Sequence, residues 1–235
     1  MLPTLDSTTA IWLNKLASHA PVAFNQLQRM VSDNNLVKCG AFMVATWWLW
    51  FRHEKDPAQA LRNRQIIVGV LMGCLVAMLI TRILTHALPY RARPVYTTEL
   101  HLRPLFAKPP IVDRTTSFPS DHAALFCALA TGFFFLSRRL GVAATLYALV
   151  FICFPRVYLG YHYLSDLVAG AIIGAAVACL ANLPAVRRYA YLPTVHWQQR
   201  HPGLFYAVFF LLTYQIDDLF NSVRQLLAFT FGIGT

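Results

Sequence analysis

Acidic side chains are scarce in this chain: ten Asp and Glu stand against twenty Lys and Arg in 235 residues. Charge of either sign is scarce too, at 13% of residues, whereas 57% are hydrophobic. A soluble domain keeps roughly a quarter of its residues charged, so water is a poor solvent for this composition and a bilayer a good one. No long basic run or DNA-reading pattern accompanies the net charge of +10, which excludes nucleic acid as a partner. The five cysteines (Cys39, Cys74, Cys127, Cys153, Cys179) are odd in number, show no Cys-x-x-Cys spacing and sit within or beside apolar runs. They read as packing residues and exclude a disulfide or zinc frame. No internal repeat or low-complexity segment occurs. Residues Met1–Asp6 lack the basic start and apolar continuation of a signal peptide.

What remains is an all-α, polytopic membrane helical bundle, read as one domain over 1–235. Apolar runs at about 36–52, 65–85, 121–136, 140–157, 164–184 and 203–221 predict about six transmembrane helices, several near the roughly 17–25 residues that crossing requires. Residues 6–33 mix Trp12, Leu16, Phe24 and Met30 with polar neighbours, the pattern of an amphipathic helix lying at the interface. The connection at 52–64, the Arg138-Arg139 turn and the Arg187, Arg188 and Arg200 loop fall on one side if the six helices alternate. By the positive-inside rule that side is cytoplasmic. The opposite side then receives the loop at 86–120, which is itself basic: His86, Arg91, Arg93, His101, Arg103, Lys108 and Arg114 face only Glu99 and Asp113.

That basic loop joins two polar runs on the same side. The second, Arg156-Val-Tyr-Leu-Gly-Tyr-His162-Tyr-Leu-Ser-Asp166, places His162 and Asp166 four residues apart. If a helix runs on from 162, the carboxylate orients one imidazole nitrogen and leaves the other free to attack. Arg156 offers a guanidinium suited to a phosphate. The first run, Pro119-Ser120-Asp121-His122, opens a helix: Ser120 is placed to cap it, and its free N–H groups attract an anion. His122, in the first turn, can give a proton to a leaving group. Upstream, Arg91-Ala-Arg93-Pro94 adds two more guanidinium groups. No set of side chains forms a metal site by spacing.

This ordered set resembles the type 2 phosphatidic acid phosphatase superfamily of lipid phosphate phosphatases. Its first motif, a lysine, six residues and Arg-Pro, is matched at Arg93-Pro94. Its second, Pro-Ser-Gly-His, is matched at Pro119–His122 with Asp121 for glycine. Its third is matched in spacing by Arg156, His162 and Asp166. The resemblance implies that His162 is a nucleophile forming a phosphohistidine, that Asp166 orients it, and that His122 is the acid. It implies phosphate binding by Arg93, Arg156 and Ser120, and no metal or other cofactor. His86 stands where the family has lysine and Pro155 where it has serine; His86 or Arg91 is expected to supply the missing phosphate contact.

Ser-Phe-Pro-Ser-Asp-His-Ala also resembles the branch of bacterial undecaprenyl-diphosphate phosphatases. That implies an inner membrane enzyme, facing outward, whose partners are the bilayer and a lipid diphosphate. Phosphatidic acid, phosphatidylglycerophosphate and lipid A phosphates are the competing substrates, with phosphotransfer between lipids as a variant of the same chemistry. A non-catalytic lipid-binding membrane protein is the alternative of a different class. Asp217 and Asp218 read as the polar end of the last helix.

Overall fold

The computed structural model describes residues 4–106 and 116–231, and among these it contains helices and no strand. Lys108, Asp113 and Arg114 of the basic loop lie outside the described residues. Two short helices, α1 (Thr4–His19) and α2 (Val22–Asp33), precede α3 (Leu36–Phe51), α4 (Pro57–Ala87), α5 (Asp121–Phe134), α6 (Arg138–Tyr158) and α7 (Leu164–Ala181). Then come α8 (Leu192–Arg200), α9 (Pro202–Asp217) and α10 (Asn221–Phe231).

The apolar pattern explains this arrangement. Helix α5 is enclosed by α4, α6 and α7, and Ala124, Leu125, Phe126, Ala128 and Leu129 are buried completely. The surrounding helices turn large apolar side chains outward: Leu79 and Ile83 on α4, Leu146 and Val150 on α6, Val168 and Ile172 on α7. An apolar exterior on several adjacent helices is a lipid-facing surface. The protein is an all-helical membrane protein in which α4, α6 and α7 are long and apolar enough to cross a bilayer. Helices α3 and α5 are apolar but shorter, and α9 has 16 residues. All six expected apolar runs are helical, while three reach spanning length.

Two boundaries differ from the sequence expectation. Helix α4 begins at Pro57, absorbing part of the basic stretch expected as a loop. Asp56 caps it by accepting from Ala58 N at 3.0 Å, and proline suits the first helical position. Residues 6–33 form two helices rather than one, broken before Pro21. Trp12, Leu16, Leu27 and Met30 are exposed on them. The other side is anchored to the bundle: Phe24 meets the Tyr158 ring edge-on at 5.6 Å, and the Tyr158 hydroxyl donates to Asn25 Oδ1 at 2.7 Å.

Helices α5 and α7 approach closely because Gly170 and Gly174, one turn apart on α7, face the backbone of α5. A Cβ on Gly174 would overlap the Ala124 carbonyl, and one on Gly170 the Ser120 carbonyl. This is the small-residue packing that membrane helices favour. Gly174→Val is therefore expected to destabilise the protein by about 1–3 kcal/mol or more, since the clash is with backbone. A lowered thermal midpoint in detergent checks this; an unchanged midpoint contradicts the packing.

Candidate active site

The site forms where α5, α6 and α7 end on one side of the bundle. Arg156 lies in the last turn of α6, and the chain then reverses through Gly160, whose φ of +72° is a conformation that favours glycine. In that reversal Tyr161 N and His162 N both donate to the Arg156 carbonyl, at 2.9 and 3.2 Å, which sets His162 beside the arginine. Helix α7 starts at Leu164. Its first turn closes by a capping box in which Tyr163 N donates to Asp166 Oδ2 at 2.8 Å. Ser120 N donates to the Asp166 carbonyl at 3.1 Å, so one backbone bond joins the two motifs. Ser120 Oγ accepts from Ala123 N at 3.4 Å, as the cap of α5.

His162 is 3% exposed and its tautomer follows from its partners. Nδ1 lies 2.9 Å from the Ser117 carbonyl, which only accepts, so Nδ1 carries the hydrogen. Nε2 lies 3.1 Å from Arg93 Nη1, which only donates, so Nε2 presents its lone pair. Burial holds the imidazole below its usual range, Asp166 opposes this, and the positive charges of Arg93 and Arg156 add to it. A neutral imidazole with an unprotonated Nε2 is the nucleophilic form.

His162 and Asp166 are close, though not on one helix face: His162 precedes α7, and its Nδ1 is 3.5 Å from Asp166 Oδ2. Ser117, unanticipated from the sequence, supplies the shorter contact. Arg93 is 8% exposed and also donates to the Tyr161 carbonyl at 2.9 Å. On the far side of Arg156, Nη2 lies 2.6 Å from His122 Nε2, and His122 Nδ1 lies 2.8 Å from Asp121 Oδ1. Asp121 Oδ2 accepts from Arg82 at 2.6 Å. The carboxylate in place of the family's glycine thus has two partners, and neither Arg82 nor this link was singled out from the sequence. An acidic residue beside a histidine at a helix start was the available signal.

The structure brings His162, Asp166, Arg93, Arg156, Ser120 and His122 together. It places Arg91 and His86 differently from the expectation of a phosphate contact. Arg91 donates to Asp166 Oδ1 and Asp6 Oδ2, both at 2.6 Å, and to Ser165 Oγ at 2.8 Å, with its guanidinium 4.2 Å from the Tyr163 ring centroid. Its charge faces two buried carboxylates. His86 is exposed at the end of α4, and among the described residues no hydrogen bond joins it to this network.

Asp6, on α1, is 2% exposed and takes Ser165 N at 3.0 Å and Ser165 Oγ at 2.5 Å besides Arg91. Burial acts to raise its pKa, but the bonds from Ser165 and Arg91 outweigh it and hold the carboxyl below its usual value. A chain therefore runs from α1 through Arg91 to Asp166 and His162. Asp6→Asn is expected to lower kcat about tenfold, since small misplacements of a reacting group are costly. The loss should fall on kcat rather than KM; an unchanged kcat contradicts the positioning role.

Comparison with known proteins agrees with these motifs. The family model described as PAP2 superfamily matches residues 67–189. The chain is 27% identical over 188 residues, 77% of its length, to a lipid A 1-diphosphate synthase of Escherichia coli (strain K12), covering 69% of that protein. No solved structure matches.

Proposed function

Because this chain belongs to the PAP2 superfamily, whose members are phosphatases and phosphotransferases, we propose that it removes a phosphate from a polyprenyl diphosphate such as undecaprenyl diphosphate. The observation that best supports the phosphatase step is the unprotonated Nε2 of His162, which accepts from the Arg93 guanidinium until that group turns to the phosphoryl oxygens. In this reading Arg93 and Arg156 hold the phosphoryl oxygens, and the positive end of α5 adds its dipole, since Ala123 N and His122 N are already taken by Ser120 Oγ and Asp121 Oδ1. His162 Nε2 attacks the terminal phosphorus, an N–P bond forms, and the bond from that phosphorus to the bridging oxygen breaks with its electron pair left on the departing lipid phosphate. His122, neutral in the resting site with Nδ1 donating to Asp121, takes a proton on Nε2 from the incoming phosphate monoanion and delivers it to that oxygen. For this Arg156 Nη2 must shift from His122 to the bound anion, because a guanidinium cannot accept the proton that a donating Nε2 would carry. Water, deprotonated by the now neutral His122, then cleaves the phosphohistidine to orthophosphate.

The site faces the periplasm or cell exterior of a bacterial inner membrane in this proposal, with the six apolar helices spanning and α1–α2 at the interface. No metal takes part. Purified protein in detergent should release orthophosphate from undecaprenyl diphosphate, and activity should survive chelation by EDTA. Loss in EDTA with recovery on adding a divalent ion would overturn the metal-free step. A second reading, phosphotransfer to a lipid, is favoured by the name of the Escherichia coli relative. Supplying lipid A beside the diphosphate separates the two: transfer yields a phosphorylated lipid in place of orthophosphate.

A further inference from the structure

Three buried donors beside Arg156, its own Nε, Ser32 Oγ and the Tyr161 hydroxyl, have no hydrogen-bond partner among the described residues. Lys38 is 5% exposed, and among the described residues it makes neither an ion pair nor a side-chain hydrogen bond. Buried polar groups are normally satisfied, so such a cluster points to a ligand.

Two contacts set Ser32 and Tyr161 beside Arg156. Arg156 Nη2 donates to the Ser32 carbonyl at 3.3 Å, and the Arg156 guanidinium stands 5.9 Å from the Tyr161 ring centroid. Lys38 is within electrostatic reach of both Arg156 and His122. It sits in a wide π-type turn, Leu36–Gly40, which packs against a second such turn of α6, Leu149–Cys153. Turns of this kind recur at functional sites. The Tyr147 hydroxyl ties the first turn to α6 by donating to the Val37 carbonyl. The acidic groups facing Lys38 are Asp33, Asp121 and Asp217, and Asp121 is already engaged by Arg82 and His122.

We infer that Ser32, Lys38, Tyr161 and Arg156 Nε form a second phosphate subsite, which takes the lipid-attached phosphate of a diphosphate while the terminal phosphate sits on Arg93 and His162. The inference rests on the phosphatase reading above. Its geometry follows from His122: the departing oxygen must lie near that imidazole, and the orphan donors lie on the same flank of Arg156. With a diphosphate the departing group is itself an anion, which a buried lysine and three neutral or cationic donors stabilise. Burial pushes the Tyr161 phenol up to about 12, so it remains a donor. Ser32 and Lys38 precede the family match at 67–189 and supply a cation where His86 does not.

The test compares kcat/KM for a prenyl diphosphate and the matching prenyl monophosphate in the wild type, Lys38→Gln, Lys38→Arg and Ser32→Ala. Lys38→Gln should cut the diphosphate-to-monophosphate ratio about 10- to 100-fold, the effect of a lost charged hydrogen bond, and Lys38→Arg should restore much of it. An unchanged ratio in a folded Lys38→Gln protein overturns the subsite. Binding gives a second readout without turnover: calorimetric titration of the wild type should show pyrophosphate bound more tightly than orthophosphate, and Lys38→Gln should remove the preference. Equal binding in the wild type also overturns the subsite and leaves the phosphatase reading standing. If instead no lipid phosphate is hydrolysed, that reading fails and the pyrophosphate titration decides the subsite alone.

Discussion

His162→Ala is expected to lower phosphate release by at least about 10⁴-fold, because loss of a nucleophile collapses the whole two-step reaction. The protein should stay folded, since His162 holds its neighbours by two hydrogen bonds, to the Ser117 carbonyl and from Arg93. The wild-type pH profile should carry the same signature. Burial and the arginine charges hold His162 below its usual value of 6.5. A group with a depressed pKa stays neutral, and nucleophilic, to lower pH. The acid limb of kcat/KM is therefore expected below pH 6.5, and a limb well above it would contradict the assignment. In the Arg93→Ala protein one of the charges that lowers the pKa is gone, and the limb should move up.

His122→Ala carries the second large effect, and its size should depend on the leaving group. General acid catalysis contributes about 10²- to 10⁴-fold, most where the departing oxygen is basic. A lipid monophosphate releases an alkoxide and should lose activity near the upper end of that range. A diphosphate or an aryl phosphate releases a stabler anion and should lose much less. Equal losses on all three would move His122 from proton transfer to binding through Arg156, the contact it makes at 2.6 Å. Asp121→Gly, which restores the family's residue, removes the carboxylate at His122 Nδ1 and gives a milder version of the same test.

Much of this site was legible in the order of its residues. Arg93, Ser120, His122, Arg156, His162 and Asp166 were identified by type and spacing, and the fold brings all six together. The helices were legible from apolar runs, because a lipid-facing surface leaves long uninterrupted stretches. The local geometry was less so. An i,i+4 spacing suggested that His162 and Asp166 share a helix face, but α7 begins at Leu164 and the pair meets across its cap. Arg91 looked like a phosphate ligand because nothing in the sequence shows Asp6 folding back 85 residues to take its charge. Residues 6–33 looked interfacial because Trp12, Leu16, Phe24 and Met30 stand among polar neighbours in the sequence; the polar contacts of Asp6 and Asn25 come from tertiary packing that periodicity does not reveal.

The central claim is that phosphate passes through His162. Its most direct test is to quench the turning-over enzyme with base, digest it and map phosphorylation by mass spectrometry, since phosphohistidine survives alkali and is lost in acid. One phosphoryl group on the peptide containing His162, acid-labile and absent in His162→Ala, is the predicted result. Phosphate release by the wild type with no phosphopeptide, or with the phosphoryl group on another residue, would contradict it.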